Sequence, residues 1–264
     1  MQLKDKVAVI YGAGGAIGSA VVRAFAKEGA KVYLTGHNLK TLEGVYNEIT
    51  ASGGKAQMDK VDAVNEQEIN DHMKMLISKE GKIDITFNAI SVPQTGIQGT
   101  HLLDLPIENF NLPIKTYTMS HLLTARAAAK NMITKGAGVV LSITAIPAKV
   151  AAANVGGMAS SWAAMEALSR VLSAELGGYG VRVLNIRADG MPETDTITTV
   201  YGLHAKAYGM PSNKEFQIIM EGMTQLKRLP KLAEIANVAT FLASDGSSGM
   251  TGTTVNVSCG SVVD

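Results

Sequence analysis

The chain has 264 residues, 46% of them hydrophobic and 18% charged, with a formal net charge of +1. That is enough apolar material for one substantial core, and an α/β chain of this size is expected to form a single domain over residues 1–264. The near-neutral balance makes nucleic acid and anionic membranes poor partners, and the single cysteine, Cys259, excludes an internal disulfide framework and a cysteine-rich metal site. The opening MQLKDKVAVIYGAGG is charged and then strand-like, unlike a signal peptide, and no stretch reaches the ~18 apolar residues of a membrane helix. A soluble, cytoplasmic protein is expected.

In chain order, KVAVIY (6–11) reads as a strand and AIGSAVVRAFAKEGA as a helix; KVYLTG (31–36) is the next strand, followed by the helix LKTLEGVYNEITASGG. A third strand, KAQMDKVD, precedes the helix NEQEINDHMKMLISKEG and the strand IDITFNA; two helical segments follow, then GVVLSIT (138–144). A long helix from about residue 157 leads to VRVLNIR (181–187), and LAEIANVATFLAS with TTVNVS closes the chain. This rhythm predicts a Rossmann-type, doubly wound α/β fold: a seven-stranded parallel sheet with helices on both faces. The stretch 189–213, rich in Gly and Pro, is too long for an ordinary connection and is expected to be an irregular lid or substrate loop.

YGAGGAIG (11–18) lies between the first strand and the first helix, where backbone N–H groups and a helix N-terminus would meet a pyrophosphate. Gly12, Gly14, Gly15 and Gly18 remove Cβ atoms that would block close approach, and Ala16 and Ile17 complete the turn. The alternative is a turn that only packs strand on helix. No Asp or Glu ends the second strand to take the ribose hydroxyls of NAD, which tilts the expectation from NAD toward NADP. His37 there is either a partner for a 2′-phosphate or a solvent-exposed loop residue. Asp62 is placed either to meet an adenine amino group or to cap the next helix.

Nearly the whole chain resembles the short-chain dehydrogenase/reductase family. YGAGGAIG is similar to TGxxxGIG, IDITFNAIS (83–91) to IDILVNNAG with Asn88 kept, and RADGMPET to APGxxxT with Gly190 and Thr194 kept. FLASDGSSGMTGTTVNVSCG (241–260) resembles the family's FLASDxASxITGxxxxVDGG ending. The resemblance implies dinucleotide binding by the glycine turn, Asn88, Gly190 and Thr194, with subunits paired through helices 117–134 and 157–178 into a homodimer or homotetramer. It also implies four catalytic side chains. A Tyr exchanges the proton at the substrate oxygen, a Lys four residues on lowers the Tyr pKa, a Ser orients the carbonyl and an Asn completes a water relay. A free phenol titrates near ~10, so it needs the nearby positive charge to work at neutral pH.

Here the family's YxASKAAxEAL reads MASSWAAMEAL, with Met158 for Tyr and Trp162 for Lys. VNISS reads LSITA, placing Ala145 at the Ser position beside Thr144, and the Asn position reads Tyr117. No Tyr-x-x-x-Lys spacing exists anywhere in the chain, so the loss does not depend on register. Some enoyl reductases of this superfamily are similar in having Met where others have Tyr, but they keep the Lys and an earlier Tyr; Val155 and Trp162 break that likeness.

Three functions are weighed against these residues. One is an NAD(P)(H)-dependent oxidoreductase of unidentified small-molecule substrate, reducing an activated C=C bond or a carbonyl, with Tyr117 as the substitute acid and Thr144, Ala145, Met158 and Trp162 lining the pocket. Tyr117 reads better as a buried aromatic filling the space opened by the other losses, and Tyr201, Tyr208, His204 and His101 as ordinary surface or lid residues. Another is a catalytically inactive cofactor sensor or partner subunit. The third, a different reaction on this scaffold, finds no support: His37, His72, His101, His121 and His204 are scattered without metal-ligand spacing.

Overall fold

The computed structural model describes residues 1–263. Seven parallel strands form one sheet in the order β3-β2-β1-β4-β5-β6-β7. They are β1 (Val7–Tyr11), β2 (Lys31–Gly36), β3 (Lys55–Lys60), β4 (Ile85–Asn88), β5 (Gly138–Ala145), β6 (Val181–Ala188) and β7 (Thr254–Val257). The order reverses between β1 and β4, which opens a crevice at the carboxyl edge of the sheet.

Side chains on the strands alternate between two cores. Ala8 and Ile10 of β1 face α1 (Ala16–Lys27), α2 (Lys40–Ala51) and α8 (Leu232–Ala243), meeting Val22, Phe25, Leu42, Ile235 and Leu242. Val9 and Tyr11 face the other layer, α3 (Glu66–Glu80), α4 (Ile107–Lys135) and α5 (Met158–Leu176), with Ile69, Leu76, Leu123 and Leu172. Both faces of the central strands are covered, which is why they read as continuous apolar runs.

Two expectations are corrected. The two helical segments anticipated before β5 are one helix of 29 residues, α4, which carries Pro113 inside it. Packing explains its continuity: Pro113 is buried, and α5 abuts that turn so closely that a Cβ on Gly157 would lie 2.1 Å from Phe110 O and 3.1 Å from Pro113 Cγ. The stretch 189–213 is irregular only at 189–194 and 208–212. It is built around α6 (Asp195–Ala207), and α7 (Asn213–Met223) follows. Its prolines, Pro192 and Pro211, fall outside the helix, and Gly202 inside it has open space around its α-carbon, so neither residue type interrupts the hydrogen-bond ladder. Among the described residues no helix is long and apolar enough to cross a membrane.

Candidate functional site

The glycine turn leaves β1 as its position demanded. The N–H groups of Gly12 and Ala13 both donate to Thr35 O at 3.1 Å, tying the turn to β2. Gly12 has φ +76°, and a Cβ there would sit 2.5 Å from Ala89 O, so the turn lies directly on the end of β4. A Cβ on Gly18 would be 2.2 Å from Gly12 O, and one on Gly14 2.4 Å from Thr41 Oγ1. Gly15 is the N-cap of α1 and offers no side-chain acceptor, so the first amides of the helix, those of Ala16, Ile17 and Gly18, are not capped by a side chain.

On the β2–β3 side, His37 and Lys40 are exposed. Asp62 does not cap α3: Asn65 does, accepting from the amides of Gln67 and Glu68 at 3.1 and 3.2 Å. Asp62 instead accepts from Val64 N–H at 3.0 Å in a local turn. Asn88, at the tip of β4, spends its amide inward. It donates to Ser120 Oγ at 3.2 Å and Thr124 Oγ1 at 3.5 Å, and accepts from Ile90 N–H at 3.0 Å, fixing α4 against the loop that follows the strand.

Three of the four expected catalytic positions, Tyr117, Met158 and Trp162, come together in an apolar cluster. Tyr117 and Trp162 stack with ring centroids 6.1 Å apart and planes at 26°. Met158, fully buried, and Met165 pack with them, against Val92 and Ile97. The i, i+4 spacing that sets Met158 and Trp162 on one face of α5 thus presents a thioether and an indole. The Tyr117 hydroxyl lies among Val92 N–H, Ser91 and Gln94; burial raises its pKa, and these neighbours oppose that rise. Ala145 ends β5 and offers no hydroxyl.

Thr144 serves another group, one that sequence reasoning missed. Its hydroxyl donates to Glu166 Oε1 at 2.9 Å, and Arg187 grips the same carboxylate through Nε (2.9 Å) and Nη2 (2.6 Å). Glu166 and Arg187 are both buried. Next to them, Ser169 donates to Asn185 Oδ1 at 2.9 Å, Ser142 also donates to Asn185 Oδ1, and His121 Nε2 lies 2.7 Å from Ser169 Oγ. Burial lowers the His121 pKa to about 4. The signal was legible: Ser142 and Thr144 alternate on β5, and they pair in register with Asn185 and Arg187 on β6.

Beyond β6, Gly190 is covered by α6. A Cβ on it would lie 2.2 Å from Tyr201 Oη. The Thr194 hydroxyl is committed to the N-cap of α6, donating to Met191 O at 2.9 Å and accepting from Ile197 N–H at 3.2 Å. His204 anchors α6 to the loop after β4 through Gln98 Oε1 at 3.0 Å.

A family model described as enoyl-(acyl carrier protein) reductase matches residues 12–261. The 7alpha-hydroxysteroid dehydrogenase of Escherichia coli (strain K12) is 32% identical over 262 residues, covering 99% of this chain and 96% of its own. The chain is a short-chain dehydrogenase/reductase. Other members extend the comparison. An uncharacterized oxidoreductase of Bacillus subtilis (strain 168) is 28% identical over 98% of this chain and 92% of its own. The crystal structure of an NAD+-bound xylitol dehydrogenase superposes with a TM-score of 0.92 at 25% identity, covering 98% of this chain and all of that one. This short-chain dehydrogenase/reductase is therefore a homologue of NAD(P)-dependent oxidoreductases, with a doubly wound seven-stranded sheet.

Proposed function

We propose that this chain binds NADP(H) or NAD(H) and reduces an activated C=C bond or a carbonyl group without the family's tyrosine–lysine acid. The observation that carries the reading is the coexistence of an intact phosphate cradle with an apolar plug at the catalytic positions. The cradle fits the cofactor: Gly12, Gly14 and Gly18 are sites where a Cβ would collide with backbone or Thr41, and the uncapped amides of α1 suit a pyrophosphate. Exposed His37 and Lys40 beyond β2, where no carboxylate stands, support NADP over NAD.

When bound, a reduced nicotinamide supplies hydride. The chain's part is to exclude water and to handle one proton. Tyr117, held protonated by burial and packed in the same cluster as Met158, can donate at a substrate oxygen. A C=C substrate asks less, because the carbanion-like carbon takes its proton from water. Thr144 is bound to Glu166 and orients that carboxylate rather than a substrate.

One observation favours a second reading, a catalytically silent cofactor-binding subunit: Met158 has no exposed surface and packs in one cluster with the stacked Tyr117 and Trp162. Pairing of copies through α4 and α5, which expose Leu112, Met119 and Val171, is part of either reading.

Titration calorimetry with NADPH and NADH tests both, followed by screening of enones, imines and ketones for hydride transfer. Trp162 is the single tryptophan, so energy transfer from it to NADPH gives a second readout of cofactor binding. Binding with turnover supports the reductase, and binding without turnover on any of these substrates supports the silent subunit. A folded protein that binds neither dinucleotide, by calorimetry and by thermal shift, removes both.

A further inference from the structure

The plug removes a positive charge as well as a proton donor. Trp162 stands where the family resemblance puts an ammonium, and Met158 where it puts the phenol that the ammonium activates. The side chains clustered with them, Tyr117, Met165, Val92 and Ile97, carry no charge. The next residue along this face of α5 is Glu166, four positions beyond Trp162, and Arg187 neutralises it at 2.9 and 2.6 Å. The plug is therefore an aromatic and thioether surface above a closed ion pair.

The cluster is closed at Met158, which has no exposed surface, and open at Trp162, which is only partly buried. Ser91 and Gln94, which flank the Tyr117 hydroxyl, are exposed and partly exposed. The indole is thus the part of the plug that a bound molecule meets, backed by Tyr117 in the stack at 6.1 Å and 26°. An indole face with no cation beside it attracts positive charge, more strongly than the ring of Phe or Tyr does. A thioether adds a soft, polarisable neighbour. At the third altered position Ala145 has no hydroxyl to orient a carbonyl.

We propose that the site takes a cationic C=N substrate, an N-alkyl iminium with an apolar, planar body, seated on the exposed part of Trp162. The proposal rests on the reading that the glycine turn binds a reduced nicotinamide dinucleotide, and it goes beyond that reading in the acceptor. The proton count decides it. A ketone that receives hydride must also gain a proton at oxygen, which is the task of the lost phenol. An iminium carbon receives the hydride, the π pair of C=N becomes the lone pair of a neutral amine, and the hydride cancels the substrate's one positive charge. No proton enters or leaves, so no acid is needed. The ammonium expected at position 162 would repel such a substrate, whereas the indole found there holds it.

The test reads binding first, without cofactor. Calorimetry compares the inert cation N,N-dimethyltetrahydroisoquinolinium with the neutral two-ring ketone β-tetralone. The cation is expected to bind about fivefold more tightly than the ketone. Trp162→Leu, which keeps an apolar side chain, should abolish that preference, Trp162→Phe should keep part of it, and Trp162→Lys should weaken the cation about a hundredfold. Circular dichroism confirms that each variant is folded. Turnover is read second, as NADPH oxidation by N-methyldihydroisoquinolinium above its spontaneous rate. That rate should be flat across neutral pH and unchanged in heavy water, because no proton is transferred. Equal affinity for cation and ketone, or a cation preference that survives Trp162→Leu, overturns the proposal. So does reduction of cyclohexenone without reduction of the iminium, which leaves the cofactor reading standing alone. If the unaltered chain binds no dinucleotide, the cofactor reading falls and this inference falls with it.

Discussion

Replacing Tyr117 by Asn and Trp162 by Lys puts the family's residues back at two of the four catalytic positions and measures how far the plug is a coupled unit. Tyr117 is 5% exposed among Trp162, Met158, Met165, Val92 and Ile97. Removing such a ring from an apolar cluster costs about 3 kcal/mol. Trp162 is half-buried, and Lys retains part of its packing through its methylenes, so Trp162→Lys costs about 2 kcal/mol. The stack between them, at 6.1 Å and 26°, contributes about 1 kcal/mol beyond burial. Both single variants lose that same contact, so the double variant is expected to lose about 4 kcal/mol instead of the 5 that independent sites would give. Urea denaturation of the four proteins, followed by far-ultraviolet circular dichroism, measures the coupling. Additivity to within about 0.3 kcal/mol refutes the stacked arrangement. With Ala145→Ser and Met158→Tyr added, the space vacated by Tyr117 accepts the new phenol, and the variant is expected to oxidise a simple secondary alcohol that the unaltered chain does not. Ordinary alcohol oxidation by the unaltered chain refutes the argument that the four losses remove that chemistry.

Two further outcomes follow from the buried polar layer beneath the plug. His121 is fully buried with its pKa lowered from 6.5 to about 4, so the folded state resists the proton that the unfolded state accepts. Its contribution to stability is fully present above pH 6.5 and is lost as pH falls from there to about 4, by up to about 3 kcal/mol. Stability against pH in His121→Gln should lack that acid slope, and an identical slope in both proteins assigns it elsewhere. Glu166→Gln leaves the Arg187 guanidinium buried without a counter-charge and should cost about 3 kcal/mol by denaturant titration. A loss below about 1 kcal/mol would mean that water reaches the pair.

Much of the fold was legible because its signals are local. β-branched runs between helical patterns require only neighbouring residues, and strand–glycine–helix spacing places a phosphate cradle without any long-range knowledge. The absence of a Tyr-x-x-x-Lys spacing is likewise a property of the chain alone. The 189–213 stretch misled because Gly and Pro weigh heavily in a local reading, whereas the N-cap bonds of Thr194 and the packing of Val200 and Tyr201 on Leu229 outweigh them in the folded chain. Asp62 and Asn65 could not be told apart as caps from composition, since either side chain accepts amide hydrogens and only backbone geometry decides.

The sequence by itself determined the family, the sheet with its glycine turn, and the loss of four catalytic side chains. Tertiary structure alone decided what took their place. Tyr117 meets Trp162, Glu166 meets Arg187, and Tyr201 reaches Gly190 beside Asp189, each pair brought from separate elements by the order of strands and the approach of α5 and α6. Such contacts carry no local pattern. They arise because a closed core must pair its polar atoms and fill its volume with whichever side chains the topology delivers.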